Sequence, residues 1–423
     1  MKNEWMYEKV KERMLRYAKV DTQSSRTSQT TPTTAKQFDL AGMLFDELRE
    51  IGASEVYLDE EHCVVYGKLP PTEEALSAPA HALGFVTHMD TAPDASGTDV
   101  RPWVLENYRG GDIVLNEEEG IVMEEAVYPQ LAQYVGQDLI LTDGKTLLGA
   151  DDKAGIAAVM TAAEYLCLHP EIRHGLVSIA FTPDEEVGGL AKDLDLVRFA
   201  SPVAYTVDCD WLGYYSDETF NASDALLTVR GTSVHTGTAK GIMVNAAEIA
   251  SEYIAMFPQD EKPQNTEGLE GFFHLVAVKG DCEEAMVWHI VRDFDSGHFA
   301  EREEMLLGFA ERLRAKYGAE RIDLEIRPTY RNMKEVIDTV PYTVTLLEEA
   351  FHAAGIAEPV RLPFRGGTDG SALSHRGLPA VNISAGYENA HGRFEFVPVQ
   401  SMEKNAEVLL CLVEAYMRRT DAG

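Results

Sequence analysis

The chain has 423 residues, of which 45% are hydrophobic, and its 37 basic and 70 acidic residues give a formal net charge of −33. This length predicts two domains, or one large domain with an insertion. The acidic balance excludes a nucleic-acid partner, which requires a basic face, and no apolar run approaches the ~18 residues of a membrane span.

The cysteine spacing and the opening segment indicate the cellular compartment of the protein. The five cysteines are odd in number and widely spaced, which favours reduced thiols over a disulfide framework or a thiolate zinc site. The opening MKNEWMYEKVKERMLRYAKV is charged throughout and lacks the apolar core of a signal peptide. The sequence therefore predicts a cytoplasmic globular protein that binds neither nucleic acid nor membrane.

Helical and strand patterns alternate through the first half of the chain. Short apolar runs between helical segments are typical of buried parallel strands. The helical spacing of Ile156, Val159 and Ala163 predicts an amphipathic helix that begins near Lys153. The other predicted elements are helices over 4–20 and 35–51, a hairpin over 56–58 and 63–69, and strands over 82–87, 112–115, 139–142, 176–182 and 203–207.

The character of the chain changes near residue 220. The elements predicted after this point are strands over 225–230, 271–278, 285–294, 321–327 and 379–385, and helices over 244–257, 299–316, 341–354 and 401–418. We therefore expect an α/β domain over 1–219 and 333–423, with a mixed, largely parallel sheet flanked by helices. An α+β domain over 220–332 is inserted into it.

Metal-binding side chains follow several of the predicted strands. The carboxyl ends of strands in an open α/β sheet meet at one crevice, where ligands bind. Two aspartates also stand at the start of the helix near Lys153. The residues expected to converge there are His88, Asp90, Asp151, Asp152, Asp184, Glu185, Glu186, Asp208 and His391.

Each of these motifs has a simpler interpretation when it is taken alone. Asp152 fits a helix N-cap, the acidic run that ends at Glu186 fits a solvated turn, and His391 fits an ordinary loop histidine. The prediction depends on their convergence. Two histidines with several carboxylates suit a pair of divalent ions such as Zn²⁺, which share one carboxylate and act on a water.

The strings HMDT, TDGKTLLGADDKAG, FTPDEEVGG, YTVD, RGGTDG and AHGRFEF closely resemble the peptidase T family of tripeptide aminopeptidases. The resemblance runs through nearly the whole chain. The family belongs to a dizinc superfamily that also contains dipeptidases, carboxypeptidases and deacylases. It implies a zinc-peptidase catalytic domain, a small peptide substrate and two Zn²⁺ per subunit, with Co²⁺ or Mn²⁺ as alternatives.

The resemblance also implies how the candidate residues divide their roles. Asp90 would orient His88, and Glu185 would be the general base. The bond between Asp151 and Asp152 would be cis. The metal ligands would be His88, Asp151 and Asp208 for one ion, and Asp151, Glu186 and His391 for the other, so that Asp151 bridges.

The inserted domain resembles the lid and dimerisation domain of the family, which implies a homodimer. His235 matches a histidine that stabilises the oxyanion, often in the partner subunit. The residues that match substrate-holding positions are Asn245, Arg292 and Arg365. For these four residues the alternative is an ordinary surface or interdomain contact.

Two departures from the family pattern leave the substrate length open. Thr236 stands where proline is usual, and Cys209-Asp210-Trp211 stands where glycines are usual. Three functions are therefore weighed: a dizinc tripeptide aminopeptidase, a related dipeptidase, carboxypeptidase or deacylase, and a catalytically inactive metal- or peptide-binding protein. Asp208, where many carboxypeptidases and deacylases have Glu, favours the first, and Glu185 disfavours the third.

Overall fold

The structure is a computed structural model that describes residues 4–419. These residues form two compact units. The first comprises the described residues up to Asp217, together with Glu335–Leu362 and the residues from Thr368 onward. The second comprises Glu218–Lys334 and Pro363–Gly367. The last of these segments, which carries Arg365, lies outside the range predicted for the inserted domain.

The helices and strands are numbered here in chain order. The helices are α1 (Glu4–Tyr17), α2 (Gln37–Glu50), α3 (Ala150–Leu168), α4 (Leu196–Phe199), α5 (Ala246–Ala255), α6 (Ser296–Tyr317), α7 (Lys334–Ile337), α8 (Tyr342–Ala353), α9 (Asp369–His375) and α10 (Val399–Met417). The strands are β1 (Ser54–Asp59), β2 (Val64–Leu69), β3 (Leu83–His88), β4 (Trp103–Leu105), β5 (Ile113–Asn116), β6 (Ile121–Met123), β7 (Leu139–Leu141), β8 (Val177–Thr182), β9 (Ala204–Cys209), β10 (Tyr214–Ser216), β11 (Asn221–Arg230), β12 (Phe272–Gly280), β13 (Glu284–Asp293), β14 (Ile322–Tyr330), β15 (Val360–Arg361), β16 (Ala380–Ser384) and β17 (Val397–Pro398).

The first unit is built on an eight-stranded sheet in the order β1-β2-β8-β3-β9-β16-β10-β15. The central strands β8, β3, β9 and β16 run parallel, and the β1–β2 hairpin adds antiparallel strands at one edge. Every residue of β3, β8 and β16 is buried, as expected for parallel strands covered on both faces. The predicted fold class, including its mixed and largely parallel sheet, is confirmed.

Helix α3 differs from its prediction. It contacts α1, α10, β3 and β9, and its residues are buried on all faces as far as Ala163. The expectation of an amphipathic helix is therefore wrong. Helices α1 and α10 cover the face that would otherwise meet water, and the small residues on α3 permit that close packing. A helix that is apolar all round is typical of the centre of a large domain.

The second unit contains a four-stranded antiparallel sheet in the order β12-β13-β11-β14. Alternate residues of β13 are buried, as period-2 strands with one covered face require. Helices α5 and α6 contact the sheet, and the core between them includes Leu227, Tyr253 and Val287. The six elements occur in the predicted order.

Several short elements were not predicted. The strand patterns of β4, β10 and β15 cover only two or three residues, too few for periodicity to be visible. Helix α9 lies in a segment for which the sequence pattern predicts no element; Thr368 caps it by accepting the Ser371 N–H at 3.2 Å. Among the described residues, no helix is long and apolar enough to cross a membrane.

Candidate metal centre

Five chain segments deliver the candidate ligands to one end of the parallel strands. His88 is the last residue of β3, Asp208 lies near the end of β9, and Asp151 lies in the first turn of α3. Glu186 follows β8, and His391 lies in the loop after β16. Since parallel strands present their carboxyl ends at the same edge, hydrophobic pattern and topology together bring these residues into contact.

His88 and two carboxylates form the first group of potential ligands. The His88 Nε2 atom lies 3.0 Å from Asp151 Oδ1 and 3.2 Å from Asp208 Oδ1. His88 is 2% exposed. One donor atom from each residue lies within 4.8 Å of the others, so all three can reach one ion.

His391 and two carboxylates form the second group. The His391 Nε2 atom lies 3.1 Å from Asp151 Oδ2 and 2.9 Å from Glu186 Oε2. The two carboxylate oxygens of Asp151 therefore face different imidazoles. This places Asp151 between the two groups, which are the same sets that the resemblance implied.

Asp90 lies directly behind the first group. Its backbone oxygen is 3.0 Å from His88 Nδ1, and its carboxylate Oδ1 is 3.4 Å from the same nitrogen. The carboxylate also accepts the backbone N–H groups of Glu185 at 2.9 Å and Glu186 at 3.2 Å. Asp90 thus fixes the orientation of one imidazole and the position of the acidic turn after β8.

The acidic turn after β8 is not a solvated turn, so that simpler interpretation is wrong. Asp184 is 2% exposed and accepts hydrogen bonds from Thr33 and from Gln37 Nε2 at 2.7 Å. Its backbone adopts the left-handed region, with φ of +63°. A short 3₁₀ helix, Glu185–Val187, follows, so the two glutamates do not alternate as on an extended strand.

Asp151 and Asp152 are joined by a cis peptide bond, as the resemblance implied. Asp152 is fully buried, and its two carboxylate oxygens have no hydrogen-bond partner among the described residues. The interpretation of Asp152 as an N-cap is therefore wrong. The backbone N–H groups at this end of α3 bond instead to Glu395, which accepts from Leu148, Gly149 and Asp151.

Glu395 was not among the predicted site residues. The available signal was an acidic residue between two phenylalanines, four positions after His391. A charged residue in an apolar context requires a partner. The partners are backbone groups, which a sequence pattern does not identify.

The pKa values of several acids in the cluster are raised by burial, and those of its two histidines are raised by the neighbouring carboxylates. Burial, with the charge of Asp151, raises the pKa of Glu186 to about 8. Burial also raises the pKa of Asp208 to about 6 and that of Glu185 well above its usual range. For His391 burial acts to lower the pKa, but the carboxylates of Asp151 and Glu186 outweigh it and raise the pKa to about 11.

The donor set fits divalent metal ions. It combines imidazole nitrogens with carboxylate oxygens, the ligands that Zn²⁺ binds in catalytic sites. The Glu186 Oε1 atom is buried and has no hydrogen-bond partner among the described residues. Each imidazole is turned toward carboxylates rather than toward neutral groups. A cation between these side chains would relieve the repulsion among them.

The remaining predicted residues belong to the second unit. Asn245 caps α5, because its Oδ1 accepts the Ala247 N–H at 3.0 Å. Arg365 donates to the backbone oxygens of Gly268 and Glu270 at 2.6 and 3.0 Å.

Arg292 and His235 keep donor groups available. Arg292 donates from Nη1 to the backbone oxygens of Ser223 at 3.3 Å and Val291 at 2.9 Å. The exposed His235 accepts the Gly237 N–H at Nδ1, at 3.1 Å. Arg292 Nη2 and His235 Nε2 therefore make no hydrogen bond to the described residues.

Comparison with known proteins identifies the family. The profile of peptidase family M20/M25/M40 matches residues 143–415. A peptidase T from Desulfitobacterium hafniense is 48% identical over 405 residues, which is 96% of this chain and 97% of that protein. The chain belongs to this peptidase family and, within it, to peptidase T. The predicted family and the predicted enzyme class, a metallo-aminopeptidase, are confirmed.

Solved structures show the same fold as this peptidase T chain. An aminopeptidase from Bacillus cereus superimposes with a TM-score of 0.75 at 22% identity, over 97% of this chain and 99% of that one. A tripeptidase from Staphylococcus aureus superimposes with a TM-score of 0.76 at 21% identity, over 98% of this chain and 99% of that one. At such low identity these two structures support the architecture alone.

The raised pKa values predict that metal binding releases protons. In the metal-free protein at pH 7, His391 and Glu186 hold protons, because their pKa values are raised to about 11 and about 8, and the pKa of His88 is also raised well above its usual range by the neighbouring carboxylates. Ligands must lose these protons to bind a metal. Titration of the metal-free protein with Zn²⁺ in weak buffer should release about two to three protons per chain.

The same linkage sets the sign of the pH dependence. Zinc affinity should fall as the pH is lowered, by about tenfold per pH unit for each proton displaced. His391→Ala should release about one proton fewer than the wild type. A release below about one proton per chain in the wild type would show that the pKa values are not raised in this way.

Proposed function

We propose that this peptidase T chain is a tripeptide aminopeptidase that binds two Zn²⁺ per subunit. The observation that carries the proposal is the position of Asp151 between two imidazole–carboxylate groups, with one carboxylate oxygen facing His88 and the other facing His391. The 48% identity to a peptidase T from Desulfitobacterium hafniense, over nearly the whole of both chains, supports the substrate class. Co²⁺ and Mn²⁺ offer the same charge and accept the same donors.

The chain's own residues hold the ions and position the reacting groups. His88 and Asp208 would bind one ion, Glu186 and His391 the other, and Asp151 both. Two divalent ions supply Lewis acidity, which polarises a carbonyl group and acidifies water. Asp90 keeps the His88 ring in one orientation through Nδ1, so that Nε2 remains free for the metal.

Glu185 has the properties of the general base. Its backbone N–H is held by Asp90, while its carboxyl group accepts no hydrogen bond from the described residues and belongs to neither ligand group. Burial, with the charge of Asp208, raises its pKa well above the usual range. It would take a proton from water and return it to the leaving amine.

Two charged side chains would each bind a charged group of a short peptide. Asp210, two residues beyond Asp208, carries a half-buried carboxyl group and would bind the free α-ammonium of the substrate. Arg292 would bind the C-terminal carboxylate, because Nη2 of this side chain has no partner among the described residues. The contacts of Asn245 and Arg365 favour structural roles within the second unit.

Peptide length and N-terminal blocking test the substrate class. We expect release of the N-terminal residue from unblocked tripeptides, with weak action on longer peptides, as the similarity to peptidase T implies. N-acetylated tripeptides should be poor substrates, since acetylation removes the ammonium group. Comparing kcat/KM for dipeptides, tripeptides, tetrapeptides and acetylated amino acids on the zinc-loaded enzyme measures this. Faster hydrolysis of acetylated amino acids would assign the chain to the deacylases instead.

Two matched variants separate the base from the ligand. Glu185→Gln keeps shape but cannot take a proton, so it should retain close to two metals per chain while kcat falls by at least about 10²–10⁴. Glu186→Gln should lose part of one metal, with activity partly restored by excess Zn²⁺. Metal analysis and kcat on both variants decide the assignment. If Glu185→Gln loses metal while Glu186→Gln keeps both ions, the two roles are reversed.

We also propose a homodimer formed through residues 220–332, in the cytoplasm, with His235 as an oxyanion donor. The five cysteines are unpaired, in keeping with a reducing compartment. Because His235 accepts a hydrogen bond at Nδ1, a neutral ring carries its proton at Nε2, where it can be donated. Closed dimers use self-complementary interfaces.

His235→Ala should lower kcat by about 10²–10³, the loss expected for an oxyanion donor. The Gly237 N–H that bonds to the ring is exposed, so stability should change little. Light scattering at the assay concentration reports the oligomeric state. A fully active monomer would contradict the proposed dimer, and unchanged kcat in His235→Ala would contradict the role of this histidine.

A further inference from the structure

Glu395 is a buried carboxylate whose hydrogen bonds within the described part of the chain go to backbone N–H groups. It is 2% exposed. Its Oε2 atom accepts the N–H groups of Leu148 at 2.8 Å and Gly149 at 2.7 Å, and its Oε1 atom accepts the N–H of Asp151 at 2.9 Å. Charge-assisted bonds of this length are among the stronger hydrogen bonds in proteins. One side chain therefore satisfies three donors of the loop that enters α3.

The loop needs these acceptors where it enters α3. The first N–H groups of a helix lack intrahelical acceptors, and α3 begins without a side-chain cap. Gly149 adopts the left-handed conformation with φ of +73°, and Asp151 has a non-helical ψ of 103°. Without Glu395, three buried N–H groups would lose their acceptor.

Glu395 itself is held rigidly. Phe396 is fully buried and packs edge to face on Tyr134, with ring centroids 5.5 Å apart. The backbone of Phe396 also exchanges two hydrogen bonds with Glu388, at 2.9 and 3.1 Å. The carboxylate thus projects from a fixed backbone, four residues after His391 in the chain.

We propose that Glu395 is a positioning residue for the metal centre. It joins the segment that carries His391 to the segment that carries Asp151. It therefore fixes the position of the Asp151 carboxylate, which both ligand groups share. The inference rests on the proposed two-metal function. Because Glu395 holds the backbone N–H of Asp151 directly, a change at Glu395 would displace the shared ligand relative to both imidazoles.

The alternative is that Glu395 contributes only to stability. Glu47 provides a matched control for that alternative. It is also a buried acid of the first unit, 7% exposed, and it accepts hydrogen bonds from Arg13, Arg16 and Tyr17 at 2.6–2.7 Å. It bonds to none of the metal-ligand candidates. Removing its charge should lower stability while leaving the metal centre unchanged.

The experiment compares Glu395→Gln, Glu395→Asp, Glu47→Gln and the wild type. For each protein we would measure the Zn²⁺ dissociation constants by competition with a chromophoric chelator, the Tm of the metal-free form, and kcat and KM for a tripeptide. Glu395→Gln keeps one acceptor oxygen and places an amide N–H₂ against the remaining donor. It should bind Zn²⁺ about 10–100-fold more weakly, with kcat lowered and KM nearly unchanged at saturating Zn²⁺.

The outcomes separate the inference from the proposed function. Glu47→Gln should have a lower Tm than the wild type, with a zinc affinity within about twofold of the wild type. Glu395→Asp keeps both carboxylate oxygens and should recover part of the zinc affinity. If Glu395→Gln does not fold, Glu395→Asp is the variant compared with the wild type. Equal zinc affinity in Glu395→Gln and wild type, or equal losses in Glu395→Gln and Glu47→Gln, would overturn the positioning role. A wild type that binds no Zn²⁺ would instead overturn the metal centre.

Discussion

The constraint on which this structure depends is the placement of one carboxylate between two imidazoles. Asp151 faces His88 with one oxygen and His391 with the other. Both histidines also contact a second acid, Asp208 or Glu186. Carboxylates gathered in a buried space repel one another and lose hydration, which raises the pKa values of those that lack enough positive partners. Such a cluster persists when cations, supplied as protons or as metals, occupy it.

The fold meets this constraint through strand ends and rigid turns. Parallel strands β3, β8 and β9 bring His88, the acidic turn and Asp208 to one edge without long loops. The turns are then fixed by acids that accept backbone N–H groups. Asp90 holds the segment of Glu185 and Glu186, and Glu395 holds the segment of Asp151. These hydrogen bonds fix the positions of the candidate ligands relative to one another.

The sequence predicted what depends on local pattern. The largely apolar runs of β3 and β8 predicted buried parallel strands, and the polar residues at and after their ends predicted the candidate ligands. Prediction from the sequence was wrong where the burial of a residue depends on its tertiary neighbours. The amphipathic character expected of α3 was wrong, because α1 and α10 cover its outer face. The solvated turn was wrong, because Thr33 and Gln37, about 150 positions away in the chain, bind Asp184.

Glu395 shows a second limit of sequence reasoning. Its partners are three backbone N–H groups, and every residue except proline carries such a group, so no residue type marks them. Asn245 shows a related limit. Its amide oxygen caps α5, a contact that the sequence match did not indicate, and its match to a substrate-holding position stays a prediction. Side chains that bind backbone are recognisable only once the backbone path is known.

The buried acids of this centre therefore divide by the donors they accept. Asp90, Asp184 and Glu395 accept N–H groups from the backbone and have their lone pairs occupied by the fold. Asp151, Asp208 and Glu186 instead face imidazoles, and Glu186 Oε1 has no hydrogen-bond partner among the described residues. An acid whose oxygens the fold already satisfies can shape a site but has little left to bind a cation. An acid that faces only exchangeable positive groups can give up those contacts to a metal. By this criterion the hydrogen bonds distinguish Asp151, Asp208 and Glu186 from the acids that support them, while Asp152, whose carboxylate has no partner among the described residues, belongs to neither class.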